Sequence, residues 1–145
     1  MNEKSESVLN IYRDIIFCHY HLQAYGKKLG AITPKGLAVW NLLTSIQQDE
    51  RITIAKLAQQ RSVARQFIQK KVKELLADNL VAFIDNPKHK KSKCITLSQV
   101  GLQLLGDMHQ KLLRETAKLV DGLDVNVKNL ASDLKLIKKL LVEQI

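Results

Sequence analysis

The stretch from Leu57 to Val81, LAQQRSVARQFIQKKVKELLADNLV, restricts the fold more than any other part of the chain. Its apolar residues Leu57, Ala58, Val63, Ile68, Val72, Leu75 and Leu76 recur at spacings that keep one helical face dry. A short polar break at Gln60–Ser62 divides the run in two. Helix, short turn and second helix is the layout of a helix-turn-helix. The second helix, predicted over Ala64–Asp78, carries Arg65, Gln66, Gln69, Lys70 and Lys73 opposite Ile68, Val72 and Leu75. Such side chains suit a DNA major groove: Arg and Lys reach guanine acceptors, Gln can pair with adenine, and all reach phosphate. The plain alternative is an amphipathic helix whose basic face is merely solvated.

The distribution of charge bears on that choice. The formal charge of the 145-residue chain is +9. Between Arg51 and Lys93 there are eleven Lys and Arg against only Glu74, Asp78 and Asp85, so nearly all of the imbalance lies on the segment holding the helix pair. A polyanionic partner is implied, because cations that neutralise phosphates release counterions and gain affinity. The length fits one domain able to bury a core without staples. Cys18 and Cys94 give no disulfide framework, and the opening MNEKSES lacks the layout of a signal peptide. No run approaches the ~20 apolar residues of a membrane span, so a soluble, cytoplasmic protein is expected, with no membrane partner.

Before the helix pair, Val8, Ile11, Ile15, Cys18, Leu22, Tyr25 and Leu29 form a regular apolar seam on a long first helix, widened by Tyr12 and Ile16. Gly30 is expected to close it, and Thr33-Pro34 to open a second helix with Leu37, Val39, Trp40 and Leu43 inward. Trp40 on that stripe reads as core rather than as a binding platform. Thr53 is the expected cap of the first helix of the pair, and Asn79 the left-handed residue that ends the second.

The period then changes. Val81–Asp85 and Cys94–Leu97 read as short strands, with Ile95 and Leu97 on one face of the second. The connector Asn86-Pro87-Lys88-His89-Lys90-Lys91-Ser92-Lys93 is turn-rich and densely positive. A hairpin with a basic tip directly after a reading helix makes a wing, able to reach backbone or an adjacent minor groove. Ser98 caps a further helix with Leu102, Leu105, Met108 and Leu112 inward, running through Leu119. Asp121–Asp124 breaks it, and Val127, Leu130, Leu134, Ile137 and Leu141 mark a final helix. A winged unit does not need these extra stripes. Pairing between two chains would bury them, although a monomeric bundle would also do so.

On these residues the chain resembles the MarR-like winged-helix transcriptional regulators. The resemblance rests on Ile32-Thr33, Ile54-Ala55-Lys56-Leu57-Ala58, Leu75 with Asn79-Leu80-Val81, and Asp121-Gly122-Leu123. Its most specific part is Asn86-Pro87-Lys88-His89-Lys90-Lys91, then Ile95-Thr96-Leu97-Ser98 and Gly101. This is similar to the family's Asp-Pro-x-Asp-Arg-Arg wing with a Leu-Thr and a Gly beyond it. The resemblance implies an obligate homodimer reading a pseudo-palindromic operator on double-stranded DNA, with repression relieved by a small molecule or by thiol oxidation. There are departures: Asn86 and His89 replace acidic residues, Lys90-Lys91 replace paired arginines, Ala64 replaces a serine cap, and Lys71 stands at a usually apolar position. Lysine lacks the planar fork of arginine, so this wing is expected to add affinity more than sequence discrimination.

The expected architecture is mainly α with a small β-hairpin wing, in a single domain over 1–145. Residues 1–31 and 99–145 form a helical dimerisation region, and 32–98 a winged helix-turn-helix. The expected DNA contacts are Arg65, Gln66, Gln69 and Lys70 on base edges, Lys73 and Arg61 nearer phosphate, and Lys88, Lys90, Lys91 and Lys93 on the wing. Tyr12, His19 and Trp40 are candidate effector contacts, a placement implied by the family's pocket. Cys18, in Phe17-Cys18-His19-Tyr20, is a candidate thiol sensor, although its place on the seam favours a small-hydrophobe role. His19 and His21 point apart on a helix, and no metal or cofactor is expected. With no phosphate loop, nucleophile elbow or paired carboxylates, an enzyme is not expected. A winged-helix module that binds only protein is the competing reading.

Overall fold

Period-3.6 patterning with one switch to period 2 resolves, in the computed structural model, into helices interrupted by a single hairpin. The structure describes residues 2–29 and 35–145. The elements are α1 (Glu3–Lys28), α2 (Gly36–Gln48), α3 (Ile54–Arg61), α4 (Arg65–Ala77), β1 (Val81–Ile84), β2 (Cys94–Leu97), α5 (Gln99–Val120) and α6 (Val127–Val142). The expected cap residues Gly30 and Thr33-Pro34 lie outside the described residues. Among the described residues, no helix is long and apolar enough to cross a membrane. The chain divides into two compact units, Met1–Leu112 and Leu113–Ile145.

In the first unit one cluster draws on almost every element. Leu42, Leu43 and Ile46 come from α2, Leu57 and Ala58 from α3, and Ile68, Val72 and Leu75 from α4. Ile52, Leu80, Val81, Ile95, Leu105 and Met108 complete it, with Trp40 packed at its edge. The hairpin is antiparallel, pairing Val81 with Leu97, Ala82 with Thr96, Phe83 with Ile95 and Ile84 with Cys94. A backbone bond from the Ile95 amide to the Ile52 carbonyl, 2.8 Å, joins β2 to the α2–α3 link.

The helix ends obey their chemistry. Thr53 accepts from the Lys56 amide at 3.2 Å and so caps α3. Ser62 ends α3 in the left-handed region at φ 51°, and Asn79 adopts φ 58° after α4. Val63, placed by periodicity on the dry face, is instead 39% exposed, because the left-handed Ser62 takes it off the helical repeat. Ala64 is the N-cap of α4, already extended at φ −66°, ψ 145°, but has no side chain to accept a bond. Ala64→Ser is therefore expected to stabilise the protein by about 1 kcal/mol, raising the thermal midpoint by roughly 2–4 °C. An unchanged melting curve would count against an uncapped first turn.

Ser98 opens α5. Its hydroxyl accepts from the Gly101 amide at 2.9 Å and donates to the Asn79 carbonyl, while its own amide donates to the Leu80 carbonyl at 3.0 Å. This bonding seats the start of α5 on the α4–β1 corner and sets its register. Gly101, Leu105 and Met108 are the buried residues of α5, whereas Leu102, expected inward, is 40% exposed. Only the first position of the stripe differs, because a glycine, not a leucine, fits against the Leu80 carbonyl.

In the second unit α6 is capped by Asn126, whose side chain accepts from the Asn129 amide at 3.0 Å. None of its residues is buried. Leu130, Leu134, Leu136, Leu140 and Leu141 are all exposed. The seam of α1 is likewise open along part of its length: Ile16 and Leu22 are more than half exposed and Ile11 and Cys18 are exposed, whereas Leu29 is buried.

Candidate nucleic-acid interface

Burial of Ile68, Val72 and Leu75 fixes the rotation of α4, which leaves Arg65, Gln66, Gln69, Lys70 and Lys73 exposed. None of the cations Arg65, Lys70 and Lys73 takes part in an ion pair among the described residues. The corner after α4 is short: the Leu80 amide returns to the Leu75 carbonyl at 2.9 Å, and β1 starts at once. The hairpin thus leads directly off the end of α4.

The tip of the hairpin is shaped by Asn86, whose side-chain oxygen accepts from the Lys88 amide at 3.0 Å and whose carbonyl accepts from the His89 amide at 3.2 Å. An asparagine can make this turn without adding negative charge. Lys88, Lys90, Lys91 and Lys93 are all exposed and have no acidic partner among the described residues.

Lys56, Arg61 and Lys71 of the segment are engaged internally, whereas the exposed Arg51 side chain pairs with no acid among the described residues. Lys56 pairs with Asp49, and this bond, with the Arg51 amide, holds the Asp49 carboxyl below its usual range. Arg61, expected nearer phosphate, is bonded within the protein. Its guanidinium donates to the Asn41 side chain and to Ser45 Oγ, both at 3.0 Å, binding α3 to α2. Burial pushes its pKa below the ordinary arginine value. Asn41 and Ser45 lie far away in sequence, so nothing local announces this bond.

Two features of α4 are not evident from the sequence. Phe67 is an exposed aromatic beside the outward polar face, and Lys71 places Nζ 5.8 Å from its ring centroid. Lys71 also lies 3.6 Å from Glu74. A lysine at this usually apolar position is thus accommodated between a ring and a carboxylate.

The candidate effector and sensor residues sit in the α1–α2 region. Tyr12 and Trp40 are half-buried and His19 is exposed, its ring 5.8 Å from that of Tyr20. A cleft of about 360 Å³ lies by the wing base, lined by Arg51, Ile84, Asp85 and Cys94 among others, and another lies by Thr53, Gln59 and Arg65. Tyr12, His19 and Trp40 line neither. Cys94 is buried, whereas Cys18, expected on a covered seam, is exposed because nothing in the unit covers that part of α1. Among the described residues no group of three His, Cys, Asp or Glu is placed to hold a metal.

A winged helix-turn-helix with long helices after it is the arrangement of the MarR and SlyA regulators, and the comparisons agree on that fold. The transcriptional regulator BldR from Sulfolobus solfataricus superposes with a TM-score of 0.78 at 19% identity, covering 94% of this chain and 97% of that one. A MarR transcriptional regulator from Methanosarcina mazei Go1 gives 0.77 at 17% identity, over 93% and 98%. A mutant MarR from E. coli complexed with operator DNA gives 0.73 at 18% identity, over 97% and 99%. Uncharacterized proteins of Mycobacterium tuberculosis and Mycobacterium bovis are 24% identical over 120 residues, 83% of each chain. No family model matches the chain. The resemblance read from the wing motif is thereby borne out as a shared fold: this chain has the MarR/SlyA winged-helix architecture.

Proposed function

We propose that this chain is a cytoplasmic, homodimeric, sequence-specific DNA-binding regulator of transcription, acting as a repressor that a small molecule releases. One observation carries the reading: apart from Arg51, the cations of the charged segment that lack an internal partner among the described residues are those of the α4 outer face and the wing. Arg65, Gln66, Gln69 and Lys70 meet base edges, Lys73 meets phosphate, and Lys88, Lys90, Lys91 and Lys93 hold the backbone beside the groove. Arg61 serves behind that surface, fixing α3 to α2. The MarR variant solved on operator DNA supports the same mode of engagement by its shared fold.

Dimerisation is supported by the uncovered leucines of α6 and the open part of the α1 seam, which lie in the terminal regions 1–31 and 99–145. The segment 32–98 is the reading unit. Two α4 helices would then enter successive major grooves about 34–36 Å apart. Tyr12, His19 and Trp40 are the candidate effector contacts.

The test is equilibrium binding of the purified protein to genomic fragments that it selects, repeated across salt. With ~6–10 phosphate contacts per dimer, affinity falls by ~10³–10⁵ between 50 and 200 mM salt. A flat salt response, or no selected fragment at all, overturns the reading. Sedimentation at equilibrium reads the dimer separately.

A further inference from the structure

We propose that Phe67 reads sequence, by packing its ring on the C5 methyl group of a thymine in the major groove. The inference rests on the DNA-binding reading above and adds to it a contact that carries no charge. Phe67 lies in the first turn of α4, the part of a reading helix that comes nearest to base edges. Its neighbour Ile68 is fully buried, whereas Phe67, about 100° further round the helix, is 52% exposed and outside the core cluster.

The surroundings of the ring select its partner. Arg65, Gln66 and Lys70 stand exposed beside it, and Lys71 holds its ammonium over the ring at 5.8 Å. That cation restrains the ring without covering it. A wholly apolar protein surface docked on the ring would leave Arg65 and Lys70 without partners, whereas a polyanion satisfies them. Within a DNA major groove the apolar group on offer is the thymine methyl, and Phe is among the side chains that contact it. The exposed ring and the free cations around it therefore share one partner.

The experiment selects bound duplexes from a random-sequence library with the full-length protein, then replaces each thymine of the enriched site by uracil, which removes only the methyl. For the wild type, one thymine per half-site is expected at which uracil weakens binding by about fourfold, the worth of one methyl group taken out of water. Phe67→Ala loses that penalty at the same thymine and keeps the salt dependence, since no charge has changed. Phe67→Leu, which keeps an apolar contact, retains part of it. If Phe67→Ala shows the full uracil penalty, or if no thymine is methyl-sensitive for the wild type, the inference falls while DNA binding stands. If the wild type enriches no duplex, the DNA-binding reading fails first and takes this contact with it.

Discussion

Lys90→Glu combined with Lys91→Glu is expected to weaken DNA binding by about a hundredfold to a thousandfold at low salt for each chain that engages the duplex. Each reversal removes an attraction to phosphate and adds a repulsion, at ~1 kcal/mol per charge in water at contact distance. The magnitude of the salt slope should fall by about two for each chain, because two counterion-releasing contacts are gone. Both residues are exposed at the hairpin tip and pair with no acid among the described residues, so the melting temperature should hold. Fluorescence anisotropy on a selected duplex, titrated across salt, measures both quantities. A protein-interaction module predicts unchanged retention on DNA, and that outcome would remove the wing from the interface.

Gly101→Ala should be the most damaging single substitution proposed for the fold. A Cβ built at Gly101 lies 2.0 Å from the Leu80 carbonyl oxygen and 2.9 Å from its carbon, and backbone on both sides must then separate. The same shift strains the bonds from Ser98 to the Leu80 and Asn79 carbonyls. A loss of about 3 kcal/mol or more is expected, or roughly 10 °C in thermal unfolding. Gly106, five residues further along α5, is the internal control. It has nothing within 4 Å of a built Cβ, so Gly106→Ala should stabilise by about 0.5–1 kcal/mol. Equal effects from the two alanines would mean that close approach at Leu80 is not what Gly101 provides.

Helix α4 and the hairpin were legible because their signals are local. Apolar spacing gave α4 its rotation, Thr53 and Asn79 gave ends that need particular side chains, and the change of period gave β1 and β2. What escaped depends on distant neighbours. Leu102 outranks Gly101 on any hydropathy pattern, yet the contact with Leu80 decides which of them faces in. Arg61 resembles any basic residue at a helix end until α2 places Asn41 and Ser45 beside it. Phe67 passes for core by its type, and only the fixed rotation of α4 shows it outside. Cys18 kept to the seam, but a seam is covered only where a partner exists for it.

The bond between the Ile95 amide and the Ile52 carbonyl has a mechanical consequence. It pins the wing base to the strut between α2 and α3, while the Asn79 corner pins the other strand to the end of α4. Hairpin and α4 are thus tied to one frame, which sets the offset between them. On the proposed DNA-binding reading, adjustment to a wider or narrower duplex would fall to the lysine side chains, and release would have to move hairpin and α4 together.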